Sequence, residues 1–112
     1  MDERLEREIF ELHNGICTAL ADPRRIMILY TLADGPRNVG ELADMLHVPQ
    51  PTTSRHLKVL RERGLVVGER DGNVVTYRLM DPQLIEAIDL LRAVLRGVYT
   101  QRAALLEEPE RA

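Results

Sequence analysis

Apolar residues at the start of the chain recur at Leu5, Ile9, Leu12, Ile16 and Leu20, in steps of four, three, four and four. That spacing puts one apolar stripe on a helix, predicted over residues 3–20. Asp22-Pro23 follows as an N-cap with proline in the first helical position, where a missing N–H has no intrahelical partner to lose. The second predicted helix turns Ile26, Ile28, Leu29 and Leu32 inward and ends at Asp34-Gly35-Pro36. Asn38, with Glu41 three residues on, starts a third helix through a variant of the capping box. Val39, Leu42, Ala43 and Leu46 form its apolar face, and it ends near His47.

Val48-Pro49-Gln50-Pro51 is a short break. A fourth helix is predicted from about Pro51 to Arg63, closed by Gly64 as a C′ glycine. Only Leu57, Val59 and Leu60 are apolar; the rest of its surface is Thr52, Thr53, Ser54, Arg55, His56, Lys58 and Arg61. Two short helices joined by a tight turn, the second polar and basic, form the pattern of a helix-turn-helix over residues 38–63. The period then changes. Leu65-Val66-Val67 and Val74-Val75-Thr76-Tyr77 are β-branched runs around Arg70-Asp71-Gly72-Asn73. Asp-Gly between such runs predicts a hairpin with a type I′ turn, a wing over residues 65–79 with Arg70 and Asn73 at its tip. The last helix opens at Asp81-Pro82 and is predicted over residues 82–107, with Leu84, Ile88, Leu91, Leu95 and Val98 near a heptad seam. Roughly 25 residues would make it about 37 Å long, more than a small winged domain needs to cover its own core. The first and last helices are therefore expected to build a homodimer interface. The fold class is mainly α with a small β-hairpin wing, a winged helix-turn-helix in a single domain over residues 1–112.

Composition sharpens this picture. The 112 residues carry a net charge of −3, yet the six basic and three acidic residues between Pro51 and Arg78 leave that segment at +3 and the remainder at −6. A basic stripe on an acidic body suits a phosphate backbone. No apolar run approaches the roughly 18–20 residues of a membrane span, and the charged start, Met1 to Glu8, resembles no targeting peptide, so a cytoplasmic protein is expected. Nucleophile–base pairs, phosphate-binding glycine loops and paired buried carboxylates are missing from the sequence, which argues against an enzyme. Glu86 and Asp89 read as a solvated helix face, and no cofactor is expected.

Three stretches carry a family resemblance: Ala19-Leu20-Ala21-Asp22-Pro23-Arg24-Arg25-Ile26-Met27-Ile28-Leu29, Glu41-Leu42-Ala43, and Ser54 through Val66. With Val75-Thr76-Tyr77-Arg78-Leu79 closing the wing, residues 16–80 resemble the ArsR/SmtB family of bacterial repressors. The resemblance implies a homodimer with five helices and one wing, dimerised through its first and last helices. It would bind a two-fold-symmetric double-stranded DNA operator and repress transcription. Gln50, Ser54 and Arg55 match positions that reach bases; Gln suits adenine and Arg suits guanine. Thr52, Thr53, His56 and Lys58 read as phosphate contacts, and Arg70 and Asn73 as wing contacts in or beside the minor groove. Pro49 stands where the family usually has a capping Ser. A winged module that binds protein rather than DNA is the alternative, because fold alone does not settle function.

The family's metal positions are changed. Its Cys-x-Cys pair reads Asn38-Val39-Gly40 here, with no thiolate. At its last-helix site Asp81 is retained, but the other positions hold Gln83, Val94 and Gly97, and one carboxylate does not close a transition-metal site. No family-type metal sensing is expected. Cys17 and His13, one helical turn apart, could bind a metal across a dimer, or Cys17 could serve as a redox switch or an intersubunit disulfide. The simplest reading makes Cys17 a small buried hydrophobe beside Ile16 and Leu20, with His13 exposed. His47 and His56 read as polar DNA-side residues.

Overall fold

The computed structural model describes residues 1–111. Its elements are α1 (Glu3–Leu12), a π-helical turn (His13–Cys17), α2 (Pro23–Ala33), β1 (Arg37–Asn38), α3 (Val39–Leu46), α4 (Gln50–Glu62), β2 (Val66–Asp71), β3 (Val74–Leu79) and α5 (Gln83–Arg111). Contacts divide the chain into two units, residues 1–82 and the helix from Gln83 onward.

In the first unit the core lies among α2, α3, α4 and the base of the wing. Ile28, Leu29, Leu32, Leu42, Ala43, Leu57, Leu60, Leu65 and Val66 are buried, at about 1.5–3 kcal/mol for each fully buried large aliphatic side chain. The predicted caps form. Asp22 accepts from the Arg24 backbone N–H at the start of α2. Asn38 and Glu41 close a reciprocal capping box on α3.

Four features depart from the sequence reading. First, the helix expected over 3–20 is interrupted at the π-helical turn. Gly15 lies within it, and the Asn14 carbonyl accepts from both the Thr18 hydroxyl and the Arg63 guanidinium. The stripe read at 3.6 residues per turn therefore changes register before Ile16. Second, the wing hairpin is the larger part of a three-stranded antiparallel sheet of order β1-β3-β2, because Arg37 and Asn38 pair with Tyr77 and Thr76.

Third, Asp71 pairs with Val74, so Gly72-Asn73 are the central turn residues. Gly72 has φ +64 and, among the described residues, the one non-glycine with positive φ is His47. A glycine-first turn with one positive φ is the II′ pattern, not the expected I′. Fourth, the turn between α3 and α4 depends on His47 itself, in the left-handed region at φ 55 and ψ 42, a position glycine usually takes. Gly68 pairs with Tyr77, and a Cβ there would lie 3.1 Å from the Val75 and Tyr77 side chains, which would have to shift by a few tenths of an ångström to admit it.

α5, the second unit, runs 29 residues, about 43 Å at 1.5 Å per residue.

Candidate nucleic-acid interface

The start of α4 decides which side chains it presents. Pro49 is its N-cap and makes no side-chain cap bond. The Pro49 carbonyl instead accepts from the Thr53 backbone N–H at 2.9 Å and from the Thr53 hydroxyl at 3.1 Å. Helix α4 thus begins at Gln50, with Pro51 in the first turn, where an N–H has no intrahelical acceptor anyway.

From that start, Gln50, Ser54, Lys58 and Arg61 follow one another at steps of four, four and three, all exposed, with Arg55 beside them. This is one helix face. A groove of about 350 Å³ runs between it, the start of α3 and the wing, lined among others by Asn38, Gln50, Ser54, Asn73 and Tyr77. A second, of about 180 Å³, is lined by Ser54, Arg55, Lys58, Arg61 and Tyr77. The fold therefore brings Gln50, Ser54, Arg55 and Lys58 together, with Asn73 across the first groove. Arg61 and Tyr77 join them although the sequence reading did not select them. The signal for Arg61 was its seven-residue spacing from Ser54; Tyr77 enters through strand register alone. Thr52 is half-buried and its hydroxyl accepts from Arg55 Nη2 at 3.1 Å. Arg70 is exposed on β2 opposite Val75 and lines neither groove. Arg78 forms a 2.9 Å ion pair with Glu69, two charges that already cancel in the segment's net +3.

Two assignments are corrected. Thr53 is 1% exposed and its hydroxyl is committed to the Pro49 carbonyl, so it faces the core rather than a phosphate. His56 points the same way, with a side chain only 12% exposed. Its Nδ1 lies 3.3 Å from Arg25 Nη1. A guanidinium has donors only, so Nδ1 accepts and Nε2 carries the proton. Nε2 has no hydrogen-bond partner among the described residues; Asp22 Oδ2 is 3.9 Å away. Burial pushes the His56 pKa down, opposed by the Asp22 carboxylate and assisted by Arg25, Arg24 and Arg55. The Asp22 carboxyl is itself lowered, chiefly by the Arg24 backbone N–H it accepts, against some desolvation and with help from His56, Arg24 and Arg25.

Cys17 is also corrected: it is exposed on this chain rather than buried beside Ile16 and Leu20. His13 is exposed as expected, and its Nδ1 lies 3.3 Å from the Asn14 side-chain oxygen. Among the described residues no group of three or more His, Cys, Asp and Glu side chains could hold a metal ion.

A buried helix-turn-helix with an exposed basic second helix, flanked by a β-wing, defines a winged helix-turn-helix DNA-binding protein. Residues 22–67 match the model described as bacterial regulatory protein, arsR family. The HTH-type transcriptional repressor SmtB of Mycobacterium tuberculosis is 48% identical over 82 residues, which cover 73% of this chain and 61% of SmtB. The HTH-type transcriptional regulator Rv0081 of the same organism, itself uncharacterized, is 36% identical over 101 residues, 89% of each chain. Its crystal structure superposes with a TM-score of 0.75 at 34% identity, covering 85% of this chain and 96% of that one. The homodimeric winged helix-turn-helix DNA-binding domain of Mb0332 from Mycobacterium bovis, solved by NMR, gives 0.72 at 28% identity, over 86% of this chain and 88% of that one. The chain belongs to the ArsR family of bacterial transcriptional regulators.

Proposed function

We propose that this chain is a repressor that binds a two-fold-symmetric DNA operator as a homodimer, with α4 in the major groove and the wing against the neighbouring backbone or minor groove. The observation that carries the reading is the exposed face Gln50-Ser54-Arg55-Lys58-Arg61, faced by Asn73 across an open groove. Gln50, Ser54 and Arg55 would read base edges, whereas Lys58, Arg61 and the wing would hold phosphates. The dimer is supported by apolar side chains that each unit leaves uncovered. On α1, Leu5, Ile9, Phe10 and Leu12 are exposed, and among the described residues none in that helix is buried. On α5, Leu91, Leu95 and Val98 of the expected seam are exposed as well. A stripe of exposed apolar side chains on each of these helices is the kind of surface that a protein–protein contact would cover.

In this reading neither of the family's metal positions works as a sensor. Asn38, Val39 and Gly40 offer no thiolate, and Asp81 has no histidine among Gln83, Val94 and Gly97. Stoichiometric Zn²⁺ or Ni²⁺ binding by calorimetry would overturn that part. No helix among the described residues is long and apolar enough to cross a membrane, in keeping with a protein that works on DNA in the cytoplasm.

The test is a gel shift on the DNA upstream of its own gene, repeated over a salt series, with light scattering on the free protein. Expected are a dimer, sequence preference, and affinity that falls steeply with salt as Lys and Arg displace counterions. Lys58→Ala should weaken all sequences alike and lower the salt slope by about one. A monomer at micromolar concentration overturns the dimer. Absence of any sequence preference would favour the protein-interaction alternative.

A further inference from the structure

Two arginines tie α4 to the end of the first helical segment. Arg63, the C-cap of α4, donates from Nη1 to the Asn14 carbonyl at 2.7 Å. Arg25, in the first turns of α2, donates from Nε to the Ala19 carbonyl at 2.6 Å and from Nη2 to the Thr18 carbonyl at 3.3 Å. Its remaining nitrogen, Nη1, is the one that reaches His56 of α4. All three carbonyls therefore belong to one stretch, residues 14–19, which holds most of the π-helical turn.

Helix α4 is thus held at two points, His56 and Arg63. Seven residues separate them, about 10.5 Å along a helix axis. One point of attachment leaves a pivot; two fix a direction. The stretch they grip continues α1, which the function proposed above places in the dimer interface. In a two-fold dimer the separation of the two recognition helices must match successive half-sites, roughly 34–36 Å apart. Rocking of α4 on the α1 segment would change that separation in both protomers at once.

We infer that Arg25 and Arg63 are positioning residues that fix the pitch of α4 against the dimer helix and so set the half-site spacing the protein accepts. The inference rests on the dimeric, DNA-binding reading above. It also removes Arg63 from the phosphate-binding set to which its charge would assign it.

The experiment uses the full chain and an operator selected from random DNA, offered with its own spacer and with spacers one base pair shorter or longer. One base pair moves a half-site by about 3.4 Å and turns it by roughly 35°. Wild type is expected to bind the altered spacers at least about tenfold more weakly, whereas Arg63→Ala and Arg25→Lys reduce that penalty to about threefold or less. In both variants the loss of affinity should fall on the native spacer alone, with base preference opposite Arg55 retained. A wild-type penalty kept by both variants overturns the proposal. So does a loss equal on all three DNAs, which would make Arg63 an ordinary phosphate contact, or a wild type indifferent to the spacer. Arg63→Ala changes an exposed side chain and decides the matter if circular dichroism shows Arg25→Lys unfolded. Failure of wild type to prefer any DNA would instead bring down the functional reading on which the inference stands.

Discussion

On α4, Ser54, Lys58 and Arg61 lie along one side, and Thr53, Leu57 and Leu60 along the other. Both sides carry a hydroxyl residue, and each has a nitrogen base or cation near its middle, Lys58 outside and His56 inside. Their surroundings differ. Outside, Ser54 and Lys58 line open grooves. Inside, the Thr53 hydroxyl donates back to the Pro49 carbonyl one turn earlier, and the His56 ring accepts from an arginine that grips another element. Chemical type told the sequence reader that α4 was polar. The helical angle decided which polar groups are free to meet a partner and which are spent on building the helix that presents them.

Substitutions on each side should therefore separate stability from recognition. The largest effect is expected at Leu57, 1% exposed: Leu57→Ala should destabilise by about 2–5 kcal/mol in urea unfolding, with DNA binding lost only as the fold is lost. Next comes Arg55→Ala, which should cost about 1–3 kcal/mol at one operator position while leaving the melting curve in place. An unchanged preference in a binding titration would show that the exposed side does not read bases there.

The third prediction concerns acid. His56 is held below its ordinary value of 6.5, so the unfolded chain takes up its proton first. Stability from this group is complete above 6.5 and is lost as the pH falls from there toward the folded value. Asp22, held below 3.8, adds a further loss as the pH falls from 3.8 through its folded value. Thermal melting followed from pH 7 to 5 should fall in wild type and flatten in His56→Gln, which keeps an acceptor for Arg25 but does not titrate. A parallel fall in both proteins would exclude His56 as the source. The smallest effect is expected for Thr53→Val, about 0.5–1.5 kcal/mol of stability for the lost hydroxyl bond, with operator affinity unchanged. A drop in affinity without one in stability would return Thr53 to the exposed side.

Much of the architecture was legible because local chemistry and global packing agree. Asp22-Pro23, Asn38 with Glu41, and the change from helical to β-branched pattern after Gly64 each state a boundary that the fold uses. What was not legible depended on atoms distant in sequence. The π-helical turn draws in Arg63, 49 residues from the carbonyl it meets. The strand Arg37–Asn38 is too short to show a period and exists only because β3 passes beside it. Nothing in the residue type of His47 shows that its backbone turns left-handed. The identities of Thr53 and His56 were right for a polar surface, but their angular positions on α4 place them on the other one.

Asn38 ends β1, pairing with Thr76 of the wing, and in the same backbone step caps α3. One residue is thus both a stitch in the sheet and the first brace of the helix-turn-helix. Wing and reading head do not form separable modules that could be exchanged piecemeal. A wing transplanted from a relative of different strand length would shift the partner of Asn38 and with it the start of α3. An engineer seeking a new operator would do better to recut the exposed face of α4 than to replace the hairpin.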